Sequence, residues 1–244
     1  MGNVFFITGT DTGVGKTTLT ALLLLHLRRR GIHALAIKPF CSGSRRDVRL
    51  LSAAQDGELP DALINPYHFR KPVAPAACEL DCGIELPDVV ERIQAVQERC
   101  QTLLVEGAGG LMVPLTKSFL IADLIAALDV PAIVVAANKL GVINHTVLTI
   151  DALQARRIAI QKVALMDQPR RDASASSNHE IILQTRPFAD VIRVPYLGQD
   201  AGRFRALKKI EKKIQKTIAQ VLEPDTFCAS SERRVNRPLQ IEAR

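Results

Sequence analysis

Short, almost wholly apolar runs alternate with helical patterns along most of the chain. Val4–Thr8 (VFFIT) predicts a strand, and the Leu-rich stretch Lys16–Arg30 after it predicts a helix that Gly31 can end. Ala34–Ile37 predicts a second strand, stopped by Pro39. Pro87–Gln101 sets Val89, Val90, Ile93 and Val96 at helical spacing. Thr102–Val105 and Ala132–Ala136 are apolar runs bounded by Gly, Pro or Asn, as suits strands buried on both faces of a parallel sheet. Gln168–Asn178 (QPRRDASASSN) reads as a loop. Arg205–Leu222 places Leu207, Ile210, Ile214, Ile218 and Val221 on one stripe with lysines on the other face, an amphipathic closing helix. The alternation predicts a single-domain α/β fold over residues 1–222, with a mostly parallel sheet and helices on both faces. Residues 223–244 lack periodicity and read as a mobile tail.

Charge changes this picture little. The 244 residues carry 32 Lys+Arg against 25 Asp+Glu, a net +7. Residues 1–155 hold 14 basic and 15 acidic side chains, whereas residues 156–244 hold 18 and 10, so the excess belongs to the last third. The excess sits on the Lys-rich outer face of the closing helix, the 168–178 loop and the tail, a surface property that needs no nucleic-acid partner. An apolar content of 47% argues against a disordered chain, and 4% aromatics without Trp argue against a stacking platform for single strands. Cys41, Cys78, Cys82, Cys100 and Cys228 are odd in number and show no CxxC spacing, which suits a reducing compartment. Cys78 and Cys82 could share a helix face, but two thiols do not make a zinc site. The apolar start has no cationic stretch before it, and Phe6 stands where a myristoylation pattern needs Ser or Thr. Asp123, Asp129 and Pro131 interrupt the longest apolar region, Phe119–Ala137, which argues against a membrane span. A cytoplasmic location is the expectation.

The chemistry lies in the first half. Gly9-Thr10-Asp11-Thr12-Gly13-Val14-Gly15-Lys16-Thr17 sits between a predicted strand and helix, where a phosphate-binding loop belongs. Glycines let backbone N–H groups approach phosphate oxygens, a Lys offsets β/γ charge, and a hydroxyl can face Mg²⁺. The strict GxxxxGK[ST] spacing would put its first Gly at Thr10, so Gly9 makes this a variant loop. Leu103-Leu104-Val105-Glu106 ends an apolar run in a carboxylate, and Lys38 closes the second strand. In an open parallel sheet the loop, Lys38 and Glu106 would meet at the strands' carboxyl ends. Asn138-Lys139-Leu140-Gly141 begins like the guanine-reading NKxD, but Gly141 lacks the carboxylate, which disfavours a GTPase switch.

GTDTGVGKT (9–17), KPFCSG (38–43), NPYHF (65–69), VEGAGG (105–110) and KLGVINH (139–145) together resemble the dethiobiotin synthetase family, in its order, over roughly residues 3–155. The resemblance implies a P-loop NTPase-type fold and the conversion of 7,8-diaminononanoate, CO₂ and MgATP to dethiobiotin, ADP and phosphate. One amine would form a carbamate, the γ-phosphoryl group would move onto it, and the second amine would close the ring and expel phosphate. By that resemblance Lys38, Lys16 and Thr12 carry catalysis. Thr17, Asp47 and Glu106 hold Mg²⁺. Gly13, Val14, Gly15, Lys16, Thr17, Thr18, Asp47, Glu106, Gly107, Ala108, Gly109, Met166, Asp167, Pro195, Tyr196 and Leu197 bind nucleotide. Thr12, Lys38, Ser42, Gly110 and Asn144 bind substrate, Asn144 across a homodimer interface. Two positions depart from the family: Gly13 stands where many members have Glu, and Met166 where an Asn reads adenine. The other reading of such a loop is a partitioning or scaffolding ATPase acting on DNA or membrane, though such loops usually carry an early Lys and positions 10–14 have none.

Overall fold

The computed structural model describes residues 2–78, 83–170, 172–187 and 189–223. In chain order the elements are β1 (Asn3–Gly9), α1 (Lys16–Arg29), β2 (Ala34–Ile37), β3 (Phe40–Ser42), α2 (Arg46–Ala54), α3 (Asp61–Ile64), β4 (Tyr67–Phe69), α4 (Pro75–Cys78), α5 (Leu86–Gln97), β5 (Thr102–Glu106), α6 (Ile121–Leu128), β6 (Ala132–Asn138), α7 (Val142–Ala155), β7 (Ile160–Asp167), α8 (Asn178–Thr185), β8 (Val191–Val194) and α9 (Phe204–Leu222).

Six strands form one parallel sheet in the order β2-β5-β1-β6-β7-β8. The chain crosses from β1 to β2 in one direction, and from β5, β6 and β7 to their successors in the other. With right-handed crossovers, α1 therefore covers one face, and α6, α7 and α8 cover the other. β5 and β6 are wholly buried, as their continuous apolar runs require. The edge strand β2 is closed by buried Gln55, whose amide accepts from Ala36 N at 3.0 Å and donates to Ala36 O at 3.1 Å, standing in for a neighbouring strand. β3 and β4 make a small separate parallel pair, cemented by Phe40 stacked on Tyr67 with ring centroids 4.8 Å apart.

Helix α1 is leucine-rich on nearly every side because it lies between the sheet and α9. Gly31, at φ 78°, lets the chain leave it, with Ile32 N donating to Leu27 O at 3.1 Å.

Two sequence boundaries and one helix face need correction. The helix expected over Pro87–Gln101 runs Leu86–Gln97, and residues 98–100 tighten into turn bonds before β5. The expected loop Gln168–Asn178 contains a 3₁₀ turn over Ala173–Ser176, and Asn178 already belongs to α8. Asp172 makes that turn: its carboxylate accepts from Ser174 N at 2.9 Å, local capping that periodicity does not register. The closing helix is less cleanly divided than its stripe predicts, because Glu211 is buried with Leu207, Ile218 and Val221. Glu211 Oε1 lies 2.9 Å from His26 Nδ1 and 2.9 Å from Arg29 Nη2, tying α9 to the end of α1. From residue 224 the expected tail lies outside the described residues, as do Cys82 and Cys228. Among the described residues, no helix is long and apolar enough to cross a membrane.

Candidate functional site

The loop after β1 turns back on itself at Gly13 (φ 74°) and Gly15 (φ 105°) before α1 begins. A side chain would strain both residues, and Gly15 has Met166 Cε 3.4 Å from where a Cβ would stand. The loop's N–H groups and the first turn of α1 thus converge on one space. Lys16 reaches back across the loop and donates to Asp11 O at 2.9 Å and Gly109 O at 2.5 Å. Burial, and secondarily the Lys38 charge, lowers its ammonium pKa to about 8 against the pull of Glu106 and Asp47.

β5 pairs with β1 and β2 pairs with β5, so the two strands deliver Glu106 and Lys38 to the same sheet end as this loop. Lys38 donates to Glu106 Oε1 at 2.8 Å and to Asp47 Oδ2, so one ammonium bridges two carboxylates. Burial alone would lower the Lys38 pKa, but Glu106 and Asp47 outweigh it and raise it, keeping the group charged. Thr17 Oγ1 donates to the same Glu106 Oε1 at 2.6 Å, while Glu106 Oε2 is buried without a hydrogen-bond partner. The backbone of Lys38 is pinned by Asn65, whose amide donates to Lys38 O at 2.9 Å and Pro39 O at 3.1 Å. The NPYHF motif contains that residue, but its role as a positioning group is visible only in the fold.

Two cavities meet at this point. One, about 240 Å³, lies against Gly13, Gly15, Lys16, Thr17, Thr18 and Glu106. The other, about 340 Å³, is lined by Ser42, Cys41, Ala108 and the Pro72–Pro75 segment. Thr12, Lys38, Asp47 and Gly109 line both. Ser42 Oγ is buried and unpartnered, an open polar group beside the second cavity. Gly110 lines a third cavity with Met112, His145 and Leu148.

Other expected residues lie elsewhere. Gly107 packs beneath the sheet end, its N–H donating to Ile7 O at 2.9 Å, and lines none of these cavities. Val14 is buried. Asn144 is exposed on the first turn of α7, beside the third cavity rather than in its lining. Met166 backs onto Gly15, as a thioether filling a gap does. The Asp167 carboxylate is turned inward, accepting from Asn138 Nδ2 at 2.8 Å and Arg193 Nε at 2.9 Å. Arg193 and Asn138 are thus structural partners that sequence reasoning missed; the Asn of the NKLG stretch is spent on this network. Pro195, Tyr196 and Leu197 follow β8, with Tyr196 exposed.

A loop cradle backed by Lys16, a hydroxyl, two carboxylates and a second lysine define a P-loop site for nucleotide-dependent phosphoryl transfer. Residues 3–201 match the family described as "AAA domain". The ATP-dependent dethiobiotin synthetase BioD of Anaeromyxobacter sp. (strain K) is 40% identical over 212 residues, covering 84% of this chain and 95% of that protein. The protein of the same name from Bacillus licheniformis is 38% identical over 205 residues, covering 80% and 83%. Among solved structures, the septum site-determining protein MinD of Pyrococcus horikoshii, complexed with Mg-ADP, superposes with a TM-score of 0.61 at 17% identity over 94% of this chain and 98% of that one. A ParA family ATPase from Chlorobium tepidum gives 0.56 at 18% over 91% and 100%, and both likenesses concern the fold alone. The chain belongs to the dethiobiotin synthetase family.

The lowered Lys16 pKa has a measurable consequence. Nucleotide phosphates favour the ammonium, so the bound state holds its proton to higher pH than the free site does. Binding above pH 8 therefore takes up a proton, and ADP affinity should fall as pH rises beyond about 8, approaching tenfold per pH unit. Calorimetric titrations in buffers of different ionisation enthalpy read the uptake directly. An affinity that stays flat between about pH 7 and about pH 10 contradicts it.

Proposed function

We propose that this chain joins CO₂ to 7,8-diaminononanoate at the expense of ATP, giving dethiobiotin, ADP and phosphate, the ligase step of biotin synthesis. The observation that carries the reading is Lys38, which lines the phosphate-loop cavity and the Ser42 cavity at once. A reaction that moves a γ-phosphoryl group onto a carbamate must bring two anions together and offset their repulsion. A permanently charged, buried ammonium between the two spaces meets that need.

In this reading Gly13–Thr18 cradle the phosphates and Lys16 holds the β/γ oxygens. Thr12 and Ser42 bind the carbamate and diamine end, and Ala108–Gly110 border it with bare or nearly bare backbone. Met166, Asp167 and Pro195–Leu197 lie toward the nucleoside, with Asp167 acting through the shape of its network. Thr17, Asp47 and Glu106 fit Mg²⁺: they offer only oxygen donors, and the unpartnered Glu106 Oε2 is a vacant acceptor. When bound, that ion would neutralise phosphate charge.

A homodimer completes the site in this reading. Met112, Leu140 and Leu148 are exposed large apolar residues, and two of them line the third cavity near Asn144. Leu148→Glu should halve the mass measured by light scattering; an unchanged mass removes this face from the interface. A cytoplasmic site of action accords with the free thiols of Cys41, Cys78 and Cys100. Residues 1–222 act as the catalytic domain. The ParA-like and MinD-like fold alone does not favour a partitioning role.

The test is product formation. Chain, diaminononanoate, bicarbonate and MgATP should yield dethiobiotin by mass spectrometry, with phosphate release dependent on the diamine. Diamine-independent phosphate release without product would refute the reading.

A further inference from the structure

A larger cavity, about 660 Å³, opens from the phosphate loop toward α2 and the start of α9. It shares Thr17, Thr18 and Asp47 with the loop cavity, so the two adjoin at those residues. Arg46 and Arg49 of α2 and Arg203, just before α9, line it. Three residues apart, Arg46 and Arg49 project from one face of their helix. Both are exposed, and neither has an ion-pair partner among the described residues. Nearby carboxylates are already engaged: Asp61 with Arg45 at 3.4 Å, Asp200 with Arg203 at 3.1 Å, and Asp47 with Lys38.

Unpaired cations on a convex surface are ordinary. Here two line a concave wall whose only acid, Asp47, is taken, and a third, Arg203, lines the same cavity from the start of α9. A phosphate chain seated on the loop presents one side to the N–H groups of Gly13–Thr18. Because Thr17 and Thr18 line both cavities, its remaining oxygens would come within reach of this one. Guanidinium groups match phosphate oxygens two at a time and stay charged at any working pH.

We propose that Arg46 and Arg49, with Arg203 as a third, hold the outer oxygens of the nucleotide's α- and β-phosphates. They close the side that the loop leaves open. The proposal rests on ATP being the loop's ligand, and not on the identity of the substrate that receives phosphate. No aspect of the family motifs requires these arginines, since they lie outside every stretch that carries the resemblance.

The test compares the full chain with its Arg46→Ala/Arg49→Ala variant in calorimetric titrations with ADP and with adenosine. The Kd for ADP should rise by about 10- to 100-fold, while that for adenosine changes less than about twofold. Arg46→Lys/Arg49→Lys should recover part of the loss, keeping charge without the planar fork. An ADP affinity within about twofold of the parent's, or an equal loss for adenosine, overturns the proposal. The second outcome is what damage to the fold would give. Selective loss of ADP affinity supports the arginines whether or not dethiobiotin is formed. Dethiobiotin formation with unchanged ADP affinity in the variant removes the arginines alone.

Discussion

Lys38→Ala should lower turnover at saturating substrates by about 100- to 1,000-fold, the loss typical when a charge-stabilising group is removed from a reacting centre. The Michaelis constant for ATP should move far less, because Gly13–Thr18 and Lys16 do not depend on Lys38 for their placement. The variant should also be less stable. Its loss leaves Glu106, 1% exposed, facing Asp47 with no cation between them. Removing one partner of such a buried pair costs about 3–5 kcal/mol, less here because Thr17 still donates to Glu106. Single-turnover phosphate transfer separates the two effects from a general defect. Turnover within about threefold of the parent would take Lys38 out of the mechanism.

Glu211→Ala carries the largest expected effect on stability alone. Among the described residues it strips buried His26 Nδ1 of its side-chain partner and leaves Arg29 with Gln215 alone, at the junction of α1 and α9. A loss of about 1–3 kcal/mol follows from leaving buried His26 Nδ1 unsatisfied, or a midpoint shift of roughly 2–12 °C for a chain of this size. Glu211→Gln, which keeps the acceptor and drops the charge, should lose about half as much. Thermal unfolding followed by circular dichroism reads both, and turnover at low temperature should hold because the helix junction lies away from Lys38. Equal midpoints for Glu211→Ala and the parent would show the cluster to be incidental.

These two residues also show what the sequence made legible. Lys38 could be read because three apolar strands end at chemistry-bearing residues, and a parallel sheet gathers strand ends. Its partner Asp47 came from resemblance, since nothing in the local pattern of α2 marks it. Glu211 was hidden by its setting: in a helix rich in Lys, an acid at position 211 looks like part of the solvated face. Only the tertiary approach of His26 and Arg29, some 185 residues earlier, buries it. β7 was obscured in a similar way. Its interior Lys162 looks polar, but the side chain is 3% exposed and paired with Asp190. Asn65 and Asn138 both stand in motifs, yet each spends its amide on backbone or on Asp167, roles that depend on which strands lie adjacent.

The strand order has a consequence for synthesis. β1 carries the phosphate loop, but its partners β5 and β6 begin near residues 102 and 132. At about 5–20 residues per second, the first strand and the leucine-rich α1 wait roughly 5–20 s on the ribosome before a sheet can receive them. Any nascent fragment shorter than about a hundred residues therefore holds the loop sequence without the scaffold that shapes it, and exposes the leucines of α1. An active site whose walls are distant in sequence and adjacent in space is thus one that takes shape late in synthesis, once β5 and β6 emerge.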